Sequence, residues 1–379
     1  MIIILFNTII TNIIIFSFGS VFFSFFFREK LSKDNLSEIP LFGIIFLSFI
    51  AVTINFFFPI NKIIGTIILI VGLCSLIVIL KNNYFLVKKI FKNLLVSSFI
   101  SYLLISFSNI YRPDAGLYHL PFISMINDNK IILGSVNINF RYAITSIAQY
   151  LSATQNNYIF DLRSISIPIA SVFSFSILFM VHKFRKSLKY KNDINSFIFF
   201  LITCYSLISF GRFSNYGNDS ISHLFFFILI IFIINHYQEL FFDIQKFNKI
   251  ALISIFLFST KAFMLMILIV PLIFLIFNKN LKKIFQNRTS YIFGLFLIVW
   301  IIRTILISGC IIYPLEKTCF KNLKFYDHNQ TVLEANSGEA WAKDWINQKE
   351  KVAFNEYNKD FIWLKTWKET HLKKIIEKK

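Results

Sequence analysis

Long apolar runs separated by short polar stretches set the pattern of this 379-residue chain. The runs cover roughly 2–27, 40–60, 63–80, 94–110, 164–181, 196–210 and 220–238, followed by a long stretch at 250–277 and a last span at 291–308. Crossing a hydrocarbon core about 30 Å thick takes about 20 apolar helical residues. Backbone groups in lipid must bond within their own segment, so runs of this kind are helices. The pattern predicts an all-α, polytopic helical membrane protein with about 9–10 hydrophobic segments. It has a long loop in its first half and a mixed-charge tail.

Basic residues sort the loops. Segments 28–39, 81–93, 182–195 and 239–249 together hold 14 Lys and Arg, against 6 in 61–62, 111–163 and 211–219. The positive-inside rule makes the first group cytoplasmic and puts the 53-residue loop 111–163 outside. Residues 2–27 have no basic region before them, and Arg28, Lys30 and Lys33 follow. This predicts a retained first span with its N-terminus outside. Segment 250–277 reads two ways. As one helix its 28 residues would reach about 42 Å and hold Lys261 near mid-membrane, at a cost of several kcal/mol. As two short helices turning at Lys261, the ammonium reaches the outer interface, and that hairpin is the preferred reading.

Residues 309–379 differ in kind, with 13 Lys/Arg and 10 Asp/Glu. Trp341 and Trp345 are four apart, as are Trp363 and Trp367, which predicts two amphipathic helices lying on a membrane or on the rest of the protein. The organisation is a transmembrane domain over 1–308 and an amphipathic C-terminal region over 309–379.

Composition narrows the function. With 56% hydrophobic and only 16% charged residues the chain is no soluble domain. A net charge of +19 would suit nucleic acid, but the basic residues lie in short loops between spans, so no nucleic-acid partner is expected. The partner that composition does demand is the lipid bilayer. The 49 Phe are read as compositional bias and carry no functional weight. Six scattered His and four Cys without a CxxC pair spell out no metal site. The cofactor expectation is none, with a divalent metal left open. Cys310 and Cys319 form a disulfide if they face an oxidising compartment and otherwise stay free thiols.

The stretch "YRPDAGLYHLP", residues 111–121, opens the long loop where a span ends. The mix of apolar and polar residues after it predicts one or two interfacial helices over the outer mouth of the bundle. Asp114 at a span end is a candidate general base toward a hydroxyl, its pKa tuned by partial burial. Its structural alternative is a helix cap following Pro113. Tyr118 and His119 are candidate substrate contacts. Otherwise Tyr118 is an interfacial anchor and His119 a packing residue. Arg141, Arg163, Arg212 and Lys261 all project to the outer face in this topology and could clamp a lipid-linked phosphate, with headgroup contact and snorkelling as the alternative. Asp219 reads as the N-cap of its span, and Arg303, buried about a turn and a half from the end of the last span, as a weak candidate with snorkelling as the alternative.

"DAGLYHLPFI" followed by "ILGSVNINFRYAITS" resembles the first extracytoplasmic loop of C-type membrane glycosyltransferases, in which an acidic motif, often D-x-x-x-Y-H-x-P, follows a span. The chain also resembles a related family of uncharacterised bacterial membrane proteins, through "SGCIIYPLEKTCF" and "EAWAKDW". The resemblance covers roughly 94–350. It implies transfer of a sugar from a polyprenyl-phosphate carrier on the outer face of a bacterial inner (plasma) membrane. Asp114 takes the catalytic carboxylate position, and Lys261 in "STKAF" matches a Lys at a turn between short helices. A second acid beside the first, common in the superfamily, is replaced by Ala115.

Two functions of different class follow. One is a membrane glycosyltransferase with a surface glycan, lipid or protein as acceptor, and a surface-glycan polymerase lies chemically close to it. The other is a non-enzymatic scaffold or transporter of surface-polysaccharide assembly. Transporters usually carry ionisable or helix-breaking residues at mid-membrane, and the first seven spans offer few. The sequence specifies neither donor sugar, acceptor nor oligomeric state.

Overall fold

The computed structural model describes residues 2–107, 113–160, 162–213, 217, 219–277, 286–348, 351–359, 361–373 and 376. Among the described residues it is mostly helical and has no strand. Among the described residues six helices are long and apolar enough to cross a membrane by length and composition: Ile2–Phe27, Lys62–Asn82, Tyr84–Ser106, Ser164–Lys189, Asp219–His236 and Thr289–Ser308. Three shorter apolar helices, Ile39–Asn55, Asp193–Ile208 and Ala262–Ile276, join them. The chain is an all-α, polytopic integral membrane protein whose solvent is the lipid bilayer. It divides into two compact units, one of residues 1–131 and 144–303, the other of 132–143 and 304–379.

In the first unit α1 (Ile2–Phe22) packs against α2 (Ile39–Asn55), α3 (Lys62–Asn82), α4 (Val87–Ser106) and α7 (Ile167–Lys189). Two glycines permit the closest approach. A Cβ on Gly19 would fall 2.1 Å from the Ile39 carbonyl oxygen, and one on Gly43 would fall 2.0 Å from that of Ile15. Small residues let helix backbones meet in this way where lipid offers no hydrophobic drive for association. The polar residues of α1 point inward, and three of them bond to other segments. Asn7 donates to Ser164 at 2.9 Å, Thr11 to Gln155 at 2.8 Å, and Asn12 to Ser97 and Ser98 at 3.2 and 3.0 Å.

One end of this unit is held by buried charge. Lys183 on α7 donates to Glu38 at 2.6 Å, and Lys249 lies 3.5 Å from Glu38 and 2.9 Å from Glu29. The Lys249 ammonium also lies over the rings of Phe23 and Phe27, and that of Lys183 over Phe179 and Phe232. Burial would raise the Glu38 pKa, but the two ammonium groups outweigh it and hold the carboxyl at about 2. Lys186 meets Asp34 at 3.3 Å and Lys89 donates to the Lys33 carbonyl at 3.2 Å. Segments 28–39, 81–93, 182–195 and 239–249 therefore share one end of the unit, as the count of basic residues grouped them. At the far end of α2, about 25 Å away for its 17 helical residues, Asn55 donates to the carbonyls of Ile126 and Asn129. Ile60 donates to Ile126 there as well.

Element boundaries move where the sequence showed only a charge run. Lys88, Lys89 and Lys92 belong to α4, because nothing in "LVKKIFKN" breaks a helix. The long loop holds α5 (Leu120–Asp128) and α6 (Ile147–Ala153). All seven residues of α6 are buried, so it is a core helix and not an interfacial one. Segment 250–277 folds as the hairpin. α11 (Ile244–Thr260) stops at Lys261, whose backbone is extended, and a 3-10 stretch Ala262–Leu268 leads into α12 (Ile269–Ile276). The Phe274 ring returns to Tyr237 and Phe241, just before α11 begins, with centroids 6.1 and 5.2 Å away.

The second unit includes α14 (His328–Ala342) and the Cys310–Cys319 disulfide. Residues 132–143 enter it through Gly134, at φ 65°, whose N–H bonds to the Leu306 carbonyl at 2.9 Å. Asn137 donates to the Phe325 carbonyl at 2.8 Å. The tryptophan expectation is corrected in part. Trp363 and Trp367 share one short helix, but α14 ends before Trp345 because Asp344 turns left-handed at φ 70°. Trp341 and Trp345 therefore occupy different elements.

The Glu38 cluster predicts a specific pH response. A carboxyl whose folded pKa falls from 4.5 to about 2 stabilises the fold fully above pH 4.5 and loses that contribution as pH falls toward 2. The shift corresponds to about 3 kcal/mol. Glu38→Gln is expected to cost about 3–5 kcal/mol near neutral pH, because two ammonium groups lose their buried partner. Thermal unfolding of purified protein between pH 7 and pH 2 checks both: the variant starts lower and loses the part of the acid-induced fall that belongs to Glu38.

Candidate functional site

Opposite the ion cluster, "PDAGLYHLP" winds into a π-turn, Ala115–His119, in which Leu120 N–H reaches back five residues to the Ala115 carbonyl. Such turns are rare and recur at functional sites. Pro121 sits in the first turn of α5, where its missing N–H costs nothing. Asp114 directly precedes this element, with an exposed side chain that makes no capping hydrogen bond to it. Tyr111 and Arg112 lie outside the described residues.

The turn carries Tyr118 and His119 in ring contact, with centroids 4.1 Å apart. His119 is 2% exposed, and its Nδ1 is hydrogen-bonded to the Gln149 amide on α6. A Cβ on Gly217 would lie 3.9 Å from the other ring nitrogen, Nε2, so Gly217, two residues before α10 (Asp219–His236), lies beside the imidazole. Two residues on, Asp219 forms an ion pair with Lys261 at the break of the 244–276 hairpin. Behind the pair the Ser222 and Thr260 hydroxyls meet at 2.8 Å. His119 and Lys261 are thus brought to one end of the unit, with Asp114 and Tyr118 on the same turn as His119.

Arg303 underlies this end. Its guanidinium is fully buried and donates to the Tyr150 hydroxyl at 3.2 Å and to the Thr145 hydroxyl. It also lies over the rings of Trp300, Phe122 and Tyr150 at 4.7, 5.5 and 5.6 Å. The side chain therefore does not snorkel. A planar donor fork is satisfied by the Tyr150 hydroxyl of α6, by that of Thr145 just before it, and by aromatic faces from α5, α6 and α13 (Arg288–Ser308), so it need not reach water. An ionisable residue in an apolar span was the available sequence signal. Gln149, one amide in the apolar "SIAQYLSA", gave a weaker one.

The remaining candidates do not join this group. Arg141 belongs to the second unit, over the Phe140 ring and within electrostatic reach of Glu334. Burial raises the Glu334 pKa, with Arg141 opposing. Arg212 lies in the short helix Phe210–Phe213, and its side chain lies outside the described residues, as does that of Arg163. Among the described residues no group of three or more His, Cys, Asp and Glu could hold a metal ion.

Replacing Arg303 by Met is expected to destabilise the protein by at least about 2–3 kcal/mol, leaving buried hydroxyls without their charged donor. Arg303→Lys keeps the charge without the fork and should fall between Met and wild type. Thermal unfolding of the three purified proteins ranks them, and equal midpoints would show that the buried contacts carry no net stability.

Searches of the curated proteins and of the solved structures returned no match to the chain. One family model, described as "Domain of unknown function (DUF8201)", matches residues 1–378, and the chain belongs to that family.

Proposed function

We propose that the protein is a membrane glycosyltransferase of the C type, moving a sugar from a polyprenyl-phosphate carrier onto a surface glycan, lipid or protein. The observation that carries the reading is the meeting of the Asp114–His119 turn with Gly217 and the Asp219–Lys261 pair, at the end of the bundle opposite the lysine-rich loops. Under the positive-inside rule that end is extracytoplasmic and the N-terminus is outside, in a bacterial plasma membrane.

In this reading Asp114 removes the proton from an acceptor hydroxyl. The hydroxyl oxygen bonds to the anomeric carbon, the bond from that carbon to the phosphate oxygen breaks, and polyprenyl phosphate leaves. Lys261 offsets charge on the leaving phosphate while Asp219 orients it, and Tyr118 and His119 contact the sugar.

A non-enzymatic scaffold of glycan assembly is the second reading. It is favoured by the way polar groups at this end bond to one another, as in His119–Gln149 and Asp219–Lys261.

The test is complementation of a deletion strain with wild type or Asp114→Asn at matched membrane levels, followed by mass spectrometry of surface glycans and glycolipids. The transfer reading expects a sugar missing from the deletion to stay missing, or reduced about 100-fold or more, with Asp114→Asn. Full restoration by the variant would sink the catalytic role and favour the scaffold.

A further inference from the structure

The second unit contains an open cleft of about 490 Å³, within the range of about 300–1,000 Å³ usual for small-ligand sites. One wall is a face of α14, where Asn329, Val332 and Asn336 recur at helical spacing. Asp327 caps that helix by accepting from Gln330 N–H at 2.9 Å. The facing wall is Trp345 and Phe354, whose ring centroids stand 4.7 Å apart, with Asn355 beside them.

The walls are held by bonds that leave the cleft's own polar groups available. Trp345 Nε1 donates to the Val352 carbonyl at 2.9 Å, which fixes the indole. The buried Tyr357 donates its hydroxyl to the Lys343 carbonyl at 2.8 Å, and Asn358 donates to the Asn336 carbonyl at 2.9 Å. Among the described residues the side-chain amides of Asn329 and Asn336 make no hydrogen bond.

We propose that this cleft binds a neutral saccharide. No Lys, Arg, Asp or Glu is among its lining residues, and its one imidazole, His328, faces the Glu316 carboxylate at 3.7 Å, so a phosphate or metal ion finds no clamp of charged groups there. Each carboxamide presents a donor pair and an acceptor on one rigid plane, which matches the adjacent hydroxyls of a sugar. Aromatic and aliphatic side chains supply the apolar surface that a sugar's C–H face requires. The inference goes beyond the transfer reading and does not require Asp114 to act on anything.

The test uses the full chain in lipid nanodiscs free of glycosidic detergent, with saturation-transfer difference NMR on glucose, galactose, mannose, N-acetylglucosamine, lactose and cellobiose. At least one of these is expected to receive saturation. Asn336→Ala and Asn329→Ala are expected to weaken that signal at least about five-fold each, taking the loss of one charge-neutral hydrogen bond as about 1 kcal/mol. Lys321→Ala, outside the cleft, should leave it unchanged. Two asparagine variants are used so that one that fails to elute as wild type leaves the other to decide. No transfer to any sugar, or equal transfer to both asparagine variants, overturns the proposal, as does preference for glucose 6-phosphate over glucose. Asp114→Asn is expected to bind the same sugar, so failure of this proposal and failure of the transfer reading give different results.

Discussion

A carboxylate buried between two ammonium groups anchors the first unit. Glu38 lies at the start of α2, Lys183 near the end of α7, and Lys249 in the first half of α11, with Glu29 just beyond the aromatic end of α1. Taking any of these charges out of water alone would cost several kcal/mol, so the arrangement is stable only when all are present together. Three stretches distant in sequence are thereby brought to one level. Once that level is set, the lengths of the helices determine what arrives at the other end. α2 delivers Asn55 to α5, α11 delivers Thr260 and Lys261, and α10 begins with Asp219.

Between these two ends the unit is held by close backbone approach and by small polar bonds. Gly19 and Gly43 allow α1 and α2 to touch through their main chains. The Asn and Thr side chains of α1 find partners on α4 and on the segments around 155 and 164. Phenylalanine fills much of the rest. The Phe22 ring meets those of Phe26, Phe27, Phe42, Phe46 and Phe296. Base composition can account for how many phenylalanines there are, but not for this cluster, which buries the end of α1 beside the ions.

The contrast between the two ends bears on function. The Glu38 end closes on itself, with charge matched by charge and shielded by rings. At the other end an exposed carboxylate, Asp114, begins the same turn that buries His119, and a glycine runs beside the imidazole. Polar groups there bond across elements, as in His119 with Gln149 and Asp219 with Lys261. The buried Arg303, tied to Tyr150 and Thr145, gives that end a rigid base formed by three elements.

Hydrophobic periodicity and loop charge were enough to determine that this chain is a bundle of membrane helices, and which loops lie together. Both are one-dimensional consequences of transfer free energy, one setting span length and the other sidedness. The break at Lys261 was legible for the same reason, since a mid-membrane ammonium is costly. Pairing between distant residues was not legible. Glu38 with Lys183 and Lys249, His119 with Gln149, and Arg303 with Tyr150 depend on helix rotation and depth, which an almost uniformly apolar sequence does not encode locally. The burial of α6 and the separation of Trp341 from Trp345 were hidden likewise, because the first depends on neighbouring helices and the second on one left-handed residue, Asp344. Only the tertiary structure decided which polar residues found partners, because in lipid the value of a polar side chain is set by what stands opposite it.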